Sequence, residues 1–343
     1  MINLFSDTVT LPTDAMYDAI REAELGDDVI STDVTVNLLE AEAAELFGKE
    51  AALLVPSGTM ANLVSAMTHG GQGDEMFVDP DAHVYHYEAG GLCAIAGYTP
   101  TFIKAERGRP DPDALKAAIR PKNIHFPTPR LLWIENTHNR GGGSVLDPGR
   151  QAALIEIARD HGLKVHVDGA RIFNASVALG VPLAAMVRDV DTVSFCLSKG
   201  LSCPIGSLVA GPRGFIARAR HVRKRLGGGM RQGGIVAASG RVALKTMIDR
   251  LADDHQNARN LAEKLAHIPG LGIEPERVET NMIFIDVTGW DMDAYEAARR
   301  VKEQGVLISE MSYTHARIVT LRHFSADQIP AVVEAFEKAC PLS

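Results

Sequence analysis

The sequence predicts an α/β protein with a large unit built on a mainly parallel, seven-stranded sheet, followed by a smaller α+β unit. From about residue 51 to residue 210, short β-rich runs alternate with helical runs, which is the pattern of a parallel sheet covered by helices on both faces. Beyond the glycine run at 227–229 the order of helices and strands changes. The 343 residues, 46% of them hydrophobic, exceed one ordinary domain and favour two.

Short apolar runs predict the seven strands of the large sheet. They lie at 51–55, 75–78, 101–103, 131–135, 164–167, 190–197 and 208–210. Helices are predicted at 60–69 and 151–159, and Asp111 followed by Pro112 is typical of a helix start. We expect three parts, which are an N-terminal arm at 1–14, a large unit at 15–250 and a small unit at 251–343.

The C-terminal part predicts a mixture of helices and strands that is typical of an α+β layer. A long alanine-rich helix is predicted at about 235–251, because no helix breaker follows Gly240. The sequence then predicts helices at 257–267, 292–303 and 326–338, and strands at 282–287, 306–309 and 317–321.

Charge and cysteine content exclude several classes of protein. With 35 Lys and Arg against 43 Asp and Glu, the formal charge is −8, which does not favour nucleic acid or an anionic membrane surface. One exception is the segment 213–225, whose six basic residues suit a nucleic-acid stripe, a solvated helix face or a subunit contact. The 4 cysteines have no paired spacing, and no apolar run is long enough to span a membrane. We therefore expect a soluble cytoplasmic protein with free thiols.

Asp168 and Lys199 carry the strongest functional signal. Each follows a short apolar run that is predicted as a buried strand, so both side chains lie beyond the carboxyl ends of strands, where open α/β sheets bind ligands. An amine that forms a Schiff base and a carboxylate that keeps a ring nitrogen protonated are what pyridoxal phosphate (PLP) requires. Each residue alone is more often an ordinary surface residue, but the pair after two apolar strands favours a PLP site.

A phosphate site and a histidine cluster support this interpretation. Ser57, Gly58 and Thr59 join the first strand to a helix, so backbone N–H groups and the helix dipole form an anion site there. His83, His86 and Glu88 have spacing that also suits metal ligands, yet no clear third ligand position accompanies the histidines, and we predict no metal site. A ring stacked on the cofactor is the better role for His83.

Six segments of this chain resemble the L-threonine aldolases of low specificity, which belong to the PLP-dependent, aspartate-aminotransferase-like enzymes of fold type I. The segments are SDTVTLPT at 6–13, PSGT at 56–59, ENTHN at 135–139, HVDGARIFNA at 166–175, CLSKGL at 196–201 and GGGMRQ at 227–232. The resemblance runs from residue 5 to about residue 325. It implies a PLP-dependent transferase-like large domain.

The resemblance also implies roles for individual residues. Lys199 is implied as the lysine that binds the cofactor aldehyde, and Asp168 as the partner of the ring nitrogen. Arg171 is implied at the ring hydroxyl and at the substrate carboxylate, which Ser6 and Arg317 also bind.

The remaining implied roles concern the phosphate, the ring face and proton transfer. Gly58, Thr59 and Ser198 are implied at the phosphate, and Lys224 and Arg231 as basic residues that approach a cofactor site from a neighbouring subunit. His83 is implied on the ring. Either His83 or His125, directly or through a water molecule, is expected to remove the proton of the β-hydroxyl.

The activity implied is a reversible retro-aldol cleavage of L-threonine, L-allo-threonine and related β-hydroxy-α-amino acids to glycine and an aldehyde, a carbon–carbon lyase reaction. A PLP-dependent β-eliminating lyase or transaminase on the same fold is the alternative. A binding protein that uses the basic segment 213–225 is the hypothesis from a different class. The expected partners are a small amino-acid substrate and further copies of the chain, arranged as a dimer of dimers.

The sequence departs from the family pattern at two places. Ile30 stands where the family has a tyrosine, within GDDVISTDVT at 26–35. Thr320 is followed by Leu321, Arg322 and His323, whereas a histidine is expected directly after the threonine. Both departures bear on the substrate range more than on the type of reaction.

Overall fold

The architecture comes from a computed structural model, which describes residues 1–342. The strands are β1 (Ile2–Asn3), β2 (Ala51–Val55), β3 (Asp74–Val78), β4 (Thr99–Phe102), β5 (Ala105–Glu106), β6 (Arg109–Pro110), β7 (Thr128–Glu135), β8 (Lys164–Asp168), β9 (Thr192–Cys196), β10 (Ser207–Gly211), β11 (Met282–Asp286), β12 (Val306–Leu307), β13 (Ser309–Glu310) and β14 (His315–Val319).

The α-helices, in chain order, are α1 (Asp14–Arg21), α2 (Val34–Leu46), α3 (Gly58–His69), α4 (His83–His86), α5 (Gly91–Ala94), α6 (Pro112–Ala118), α7 (Pro148–Asp160), α8 (Ile172–Leu179), α9 (Leu183–Met186), α10 (Arg213–Arg225), α11 (Gly234–Thr246), α12 (Leu251–Leu265), α13 (Ala294–Glu303) and α14 (Ile329–Ala339). Within residues 1–342, none of these helices is long and apolar enough to cross a membrane.

Seven strands form one sheet in the order β2, β10, β9, β8, β7, β3, β4. Strand β10 runs antiparallel to both of its neighbours, and the other neighbouring pairs are parallel. Each of the seven apolar runs predicted as strands lies in this sheet, so the predicted fold class is confirmed. The carboxyl ends of β2, β3, β7, β8 and β9 consequently lie along one edge of the sheet, where ligands bind in open α/β folds.

Helices cover both faces of the sheet, as the alternation of buried side chains in β2 shows. Ala52 and Leu54 pack into the apolar cluster formed with α2, α8 and α11. Leu53 and Val55 point to the opposite face and pack against α3 and α10. Because successive side chains of a strand point to opposite faces, a strand buried on both sides has a continuous apolar sequence.

A second apolar cluster lies around the three-stranded antiparallel sheet β11, β14, β13 and the helices α12, α13 and α14. The first residues of the chain join this cluster, because β1 pairs in parallel with β12 and the Leu4 side chain is fully buried there. The limits of the three parts at residues 14 and 250 stay a prediction.

The structure corrects the long helix predicted at 235–251. Helix α11 ends at Thr246, and α12 begins separately at Leu251. No helix breaker marks this interruption. The chain turns at 247–250 because α11 packs into the large apolar cluster whereas most of α12 packs into the second cluster. The strand predicted at 306–309 is likewise divided, because β12 pairs with β1 whereas β13 pairs with β14.

The basic segment 213–225 forms α10, and part of its charge is used within the chain. The buried Arg223 donates to Leu54 O at 2.7 Å and pairs with Asp28 at 2.7 Å. Arg220 pairs with Glu40 at 2.6 Å. Side chains held in such pairs are not available to phosphates, and this favours a structural role for this helix face over a nucleic-acid stripe.

His255 on α12 is expected to make the protein less stable in acid. Its side chain is buried, and Nε2 accepts a hydrogen bond from Asn174 Nδ2 at 3.1 Å, so the ring is neutral. Burial lowers the pKa of His255 from 6.5 to about 4. Between pH 6.5 and pH 4 the unfolded chain therefore binds a proton that the folded chain excludes. The free energy of unfolding consequently falls as the pH falls through this window, by about 3 kcal/mol at most.

Urea unfolding at pH 7 and pH 4.5 measures this effect. His255→Gln should reduce the loss of stability at the lower pH, and His267→Gln, at an exposed position on the same part of the chain, should leave the loss unchanged. An equal loss in His255→Gln and in the unsubstituted protein would contradict the prediction.

Candidate active site

A cavity of about 160 Å³ opens at the carboxyl ends of β8 and β9, beside the start of α3. It brings together six of the residues that the sequence predicted for the cofactor site. These are Gly58, Thr59, His83, Asp168, Ser198 and Lys199. Asp168 is the last residue of β8, and Lys199 lies three residues after the end of β9. The two strands are parallel neighbours, so their ends deliver the carboxylate and the amine to the same place.

Asp168 is a buried carboxylate held by neutral donors. Its Oδ2 accepts from Asn62 Nδ2 at 2.7 Å, and its Oδ1 accepts from Ala170 N at 3.1 Å. Burial raises the pKa of Asp168, with Glu135 adding to the effect and His83 and Lys199 opposing it. In the described chain no Lys or Arg forms an ion pair with Asp168, so a cationic ring nitrogen in the cavity fits this carboxylate.

The start of α3 fits an anion such as the cofactor phosphate. Gly58 and Thr59 are the first two residues of the helix, where backbone N–H groups have no partner within the helix and the dipole is positive. A Cβ on Gly58 would lie 2.8 Å from Cys196 Sγ, so glycine is required for this close approach. Ser57 caps the helix by accepting from Met60 N at 3.2 Å and does not itself line the cavity.

Arg171, predicted to bind the ring hydroxyl and the substrate carboxylate, is held by a carboxylate of this chain. Its Nε donates to Asp7 Oδ2 at 2.8 Å and its Nη2 donates to Asp7 Oδ1 at 2.7 Å. Both side chains are buried. Burial raises the pKa of Asp7, but the paired guanidinium outweighs burial and holds this pKa below 3.8. Sequence reasoning missed Asp7, although it lies in the SDTVTLPT segment that carries the resemblance.

Arg317 is a buried cation that lacks a carboxylate partner within residues 1–342. It projects from β14, where Nη1 donates to Asn139 Oδ1 at 2.7 Å and Nη2 donates to Phe5 O at 3.4 Å, while Nε has no partner. Burial lowers the pKa of Arg317 to about 10, and Arg171 contributes to this lowering. An arginine with spare donors and no counter-ion is suited to receive an anionic group.

Ser6 lies next to Asp7 and caps a short 3₁₀ helix. Its Oγ accepts from Thr8 N at 3.2 Å and from Thr8 Oγ1 at 2.9 Å, and its side chain is almost fully buried. The N-terminal segment therefore reaches the same region as Arg171 and Arg317, through the bonds of Phe5 and Asp7 to these two arginines.

Lys224, Arg231 and His125 do not line the cavity of the single chain. Lys224 is exposed near the end of α10, and Arg231 pairs with Asp27 at 2.8 Å on the surface. His125 is exposed in the loop 119–127 between α6 and β7. Their assignment to the site stays a prediction, and for Lys224 and Arg231 it depends on a second copy of the chain. Ile30, which replaces the family tyrosine, is also exposed, with 68% of its surface accessible.

We expect Asp7→Asn to destabilise the protein. The substitution leaves the buried guanidinium of Arg171 without its charged partner, and breaking a buried pair in this way costs about 3 to 5 kcal/mol. Chemical denaturation measures the loss. Asp18→Asn is the control, because its pair with Arg21 is exposed and adds little to stability. Equal unfolding midpoints for both variants would contradict the prediction.

The whole chain is similar to known proteins. A family model described as Beta-eliminating lyase matches residues 3–288. Low-specificity L-threonine aldolase 1 of Arabidopsis thaliana is 44% identical over 343 residues, which cover 98% of this chain and 96% of the relative. A structure of Leishmania major threonine aldolase has a TM-score of 0.85 at 16% identity and covers 98% of this chain and 99% of that one. A structure of SPT with PLP has a TM-score of 0.76 at 18% identity. It covers 98% of this chain and 87% of that one.

Proposed function

The chain belongs to the beta-eliminating lyase family, with low-specificity L-threonine aldolase among its relatives, and from this premise we propose that it is a PLP-dependent lyase that cleaves L-threonine to glycine and acetaldehyde. L-allo-threonine and related β-hydroxy-α-amino acids are further substrates, and the reaction is reversible. The observation that carries the proposal is the cavity that unites Lys199, Asp168 and the anion site of α3.

The residues of the cavity have separate tasks in holding the cofactor. Bound PLP supplies an electron sink that takes up the electron pair released at the substrate Cα. The amine of Lys199 holds the cofactor aldehyde, and the carboxylate of Asp168 holds a proton on the ring nitrogen. The N–H groups of Gly58 and Thr59, with Ser198, hold the phosphate.

Substrate orientation decides which bond at Cα breaks. The guanidinium of Arg317, with its unpartnered Nε, binds the substrate carboxylate and turns the Cα–Cβ bond toward the electron sink. The Asp7–Arg171 pair supports this arrangement, since it fixes the segment that carries Ser6. Binding the substrate carboxylate in one fixed position directs cleavage to one of the three substituents of Cα.

Cleavage also requires a base for the β-hydroxyl proton. The proton passes to the base, the O–H electron pair forms the aldehyde carbonyl as the Cα–Cβ bond breaks, and Cα then takes up a proton from the protonated base or from water to give glycine. His83 is our candidate, because it lines the cavity beside Asp168 and Lys199. His125 is the second candidate, and it requires a neighbouring copy of the chain to bring it near.

The test is product analysis of the purified holoenzyme with L-threonine and L-allo-threonine. We expect glycine and acetaldehyde in equal amounts. The family description favours β-elimination as the second candidate function, and that reaction gives ammonia and a keto acid instead. Ammonia without glycine would replace the aldolase proposal by this second one.

We also propose that the protein is a cytoplasmic homo-oligomer, a dimer of dimers. Exposed apolar side chains support self-association, since Leu25, Ile30, Leu38 and Ile235 lie on or beside α2 and α11. The buried thiols Cys196 and Cys203 are not in disulfide bonds, which is usual in a reducing compartment. Sedimentation as a fully active monomer would refute the oligomer.

A further inference from the structure

We propose that Glu88 and Asn62 are positioning residues that hold His83 with its proton on Nδ1, which leaves Nε2 as the proton acceptor in the cavity. The inference deepens the proposed function and rests on it where catalysis is concerned. It assigns a role to two residues that sequence reasoning did not single out for catalysis, and it explains why His83 acts as the base.

The first observation is a buried carboxylate bound to one ring nitrogen of His83. Glu88 is buried, with 6% of its surface accessible, and its Oε1 interacts with His83 Nδ1 at 2.9 Å. No hydrogen bond within residues 1–342 uses Nε2 of His83, although the residue lines the cavity. One ring nitrogen is therefore held, and the other remains available.

The second observation fixes the orientation of Asn62. Its Nδ2 donates to Glu88 Oε1 at 2.7 Å and to Asp168 Oδ2 at 2.7 Å, so both amide protons go to carboxylates. Its Oδ1 accepts from Ser194 Oγ at 3.1 Å. With the amide turned the other way, its oxygen would face two carboxylate oxygens, so only the observed orientation satisfies the site.

Together these bonds determine which nitrogen of His83 carries the proton. Glu88 Oε1 already accepts from Asn62, and as a carboxylate oxygen it can only accept from His83, so the proton of the neutral ring lies on Nδ1. Burial raises the pKa of Glu88, and Asp168 adds to this, while the bonds from His83 and Asn62 oppose it. The carboxylate form thus depends on the donors that it positions.

Asn62 also joins the two ends of the site. The same NH₂ group donates to Asp168, the proposed partner of the ring nitrogen, and to Glu88, the partner of the proposed base His83. Asn62 lies on the first half of α3, whose start forms the anion site, so one helix sets the geometry at the phosphate, at the ring nitrogen and at the base. A displacement of Asn62 would disturb all three.

The test compares Glu88→Leu, which removes the acceptor, with Glu88→Gln, which keeps one acceptor oxygen. The readout besides activity is the tautomer of His83, measured in the holoenzyme by ¹⁵N NMR of labelled histidine and assigned by the signal missing in His83→Gln. We expect Nδ1–H in the unsubstituted protein and in Glu88→Gln, and loss of that preference in Glu88→Leu.

Kinetics supply a second readout. For Glu88→Leu we expect kcat to fall by about 10²-fold or more with KM for threonine nearly unchanged, because general-base help is worth about 10² to 10⁴. Glu88→Gln should recover much of this loss, and all variants should retain the visible absorption of the bound cofactor. Glu40→Gln is the control, since Glu40 is a buried carboxylate outside the cavity and its loss affects stability only.

The outcomes separate the inference from the proposed function. A His83 proton on Nε2 in the unsubstituted protein, or an unchanged tautomer in Glu88→Leu, overturns the inference even if threonine is cleaved. Absence of aldehyde with every substrate overturns the proposed function, while the NMR result still decides the arrangement of His83. If Glu88→Leu fails to fold, the spectra of the unsubstituted protein and of Glu88→Gln still test the tautomer.

Discussion

Lys199→Ala is expected to abolish the visible absorption of bound cofactor and to lower the rate of aldehyde release by at least about 10³-fold. Lys199 is the lysine that lines the cavity together with the buried carboxylate of Asp168. Without its amine the protein has no covalent hold on the cofactor aldehyde, although the phosphate site of α3 remains. The measurement is the absorption spectrum after dialysis, together with the rate of acetaldehyde release from L-threonine.

The matched control is Lys164→Ala at the opposite end of the sheet. Lys164 begins β8, is exposed and pairs with Asp191, so its loss should change neither the spectrum nor the rate. Retention of the absorption band in Lys199→Ala, with aldehyde still released, would mean that another amine performs this task.

Arg317→Leu is expected to lower kcat/KM for L-threonine by roughly 30- to 5,000-fold. Truncating one partner of a buried, hydrogen-bonded charge pair costs about 2 to 5 kcal/mol, and each 1.36 kcal/mol is a factor of ten. Arg317 has an unpartnered Nε, whereas Arg171 is already bound to Asp7 on two nitrogens. We therefore expect the loss to appear mainly as a higher KM, with some loss of kcat from poorer orientation.

Steady-state kinetics with L-threonine measure this effect, and Arg299→Leu is the control because Arg299 is exposed and pairs only with Glu296 and Glu303. The fold should survive in Arg317→Leu, since an apolar side chain replaces a buried cation that has no carboxylate partner in the described chain. An unchanged KM would show that the substrate carboxylate binds elsewhere, with Arg171 as the next candidate.

The sequence predicts the central sheet well, because strands buried on both faces must be continuous apolar runs. The same reasoning predicts that Asp168 and Lys199 meet, since both follow parallel strands whose carboxyl ends lie at one edge. The start of α3 was predictable for a similar reason, as a helix that follows a strand directs its N–H groups to that edge. These features depend only on local patterns and on the topology of parallel sheets.

Contacts between distant segments could not be predicted in this way. Asp7 and Arg171 are 164 residues apart, and Asn62 and Asp168 are 106 residues apart, so no local pattern relates them. The turn between α11 and α12 could not be predicted either, because no helix breaker marks it and the two helices pack into different apolar clusters. The assignment of Lys224, Arg231 and His125 to the site stays a prediction, because none of them lines the cavity of the single chain.

The central claim is that the cavity at Lys199 and Asp168 holds the cofactor and that Arg317 binds the substrate carboxylate. A crystal structure of the holoenzyme with glycine, the expected product, tests this claim most directly. We predict cofactor density joined to Lys199, the ring nitrogen within hydrogen-bond distance of Asp168, and the glycine carboxylate on Arg317. Cofactor bound outside this cavity, or a glycine carboxylate that contacts neither Arg317 nor Arg171, would contradict the account.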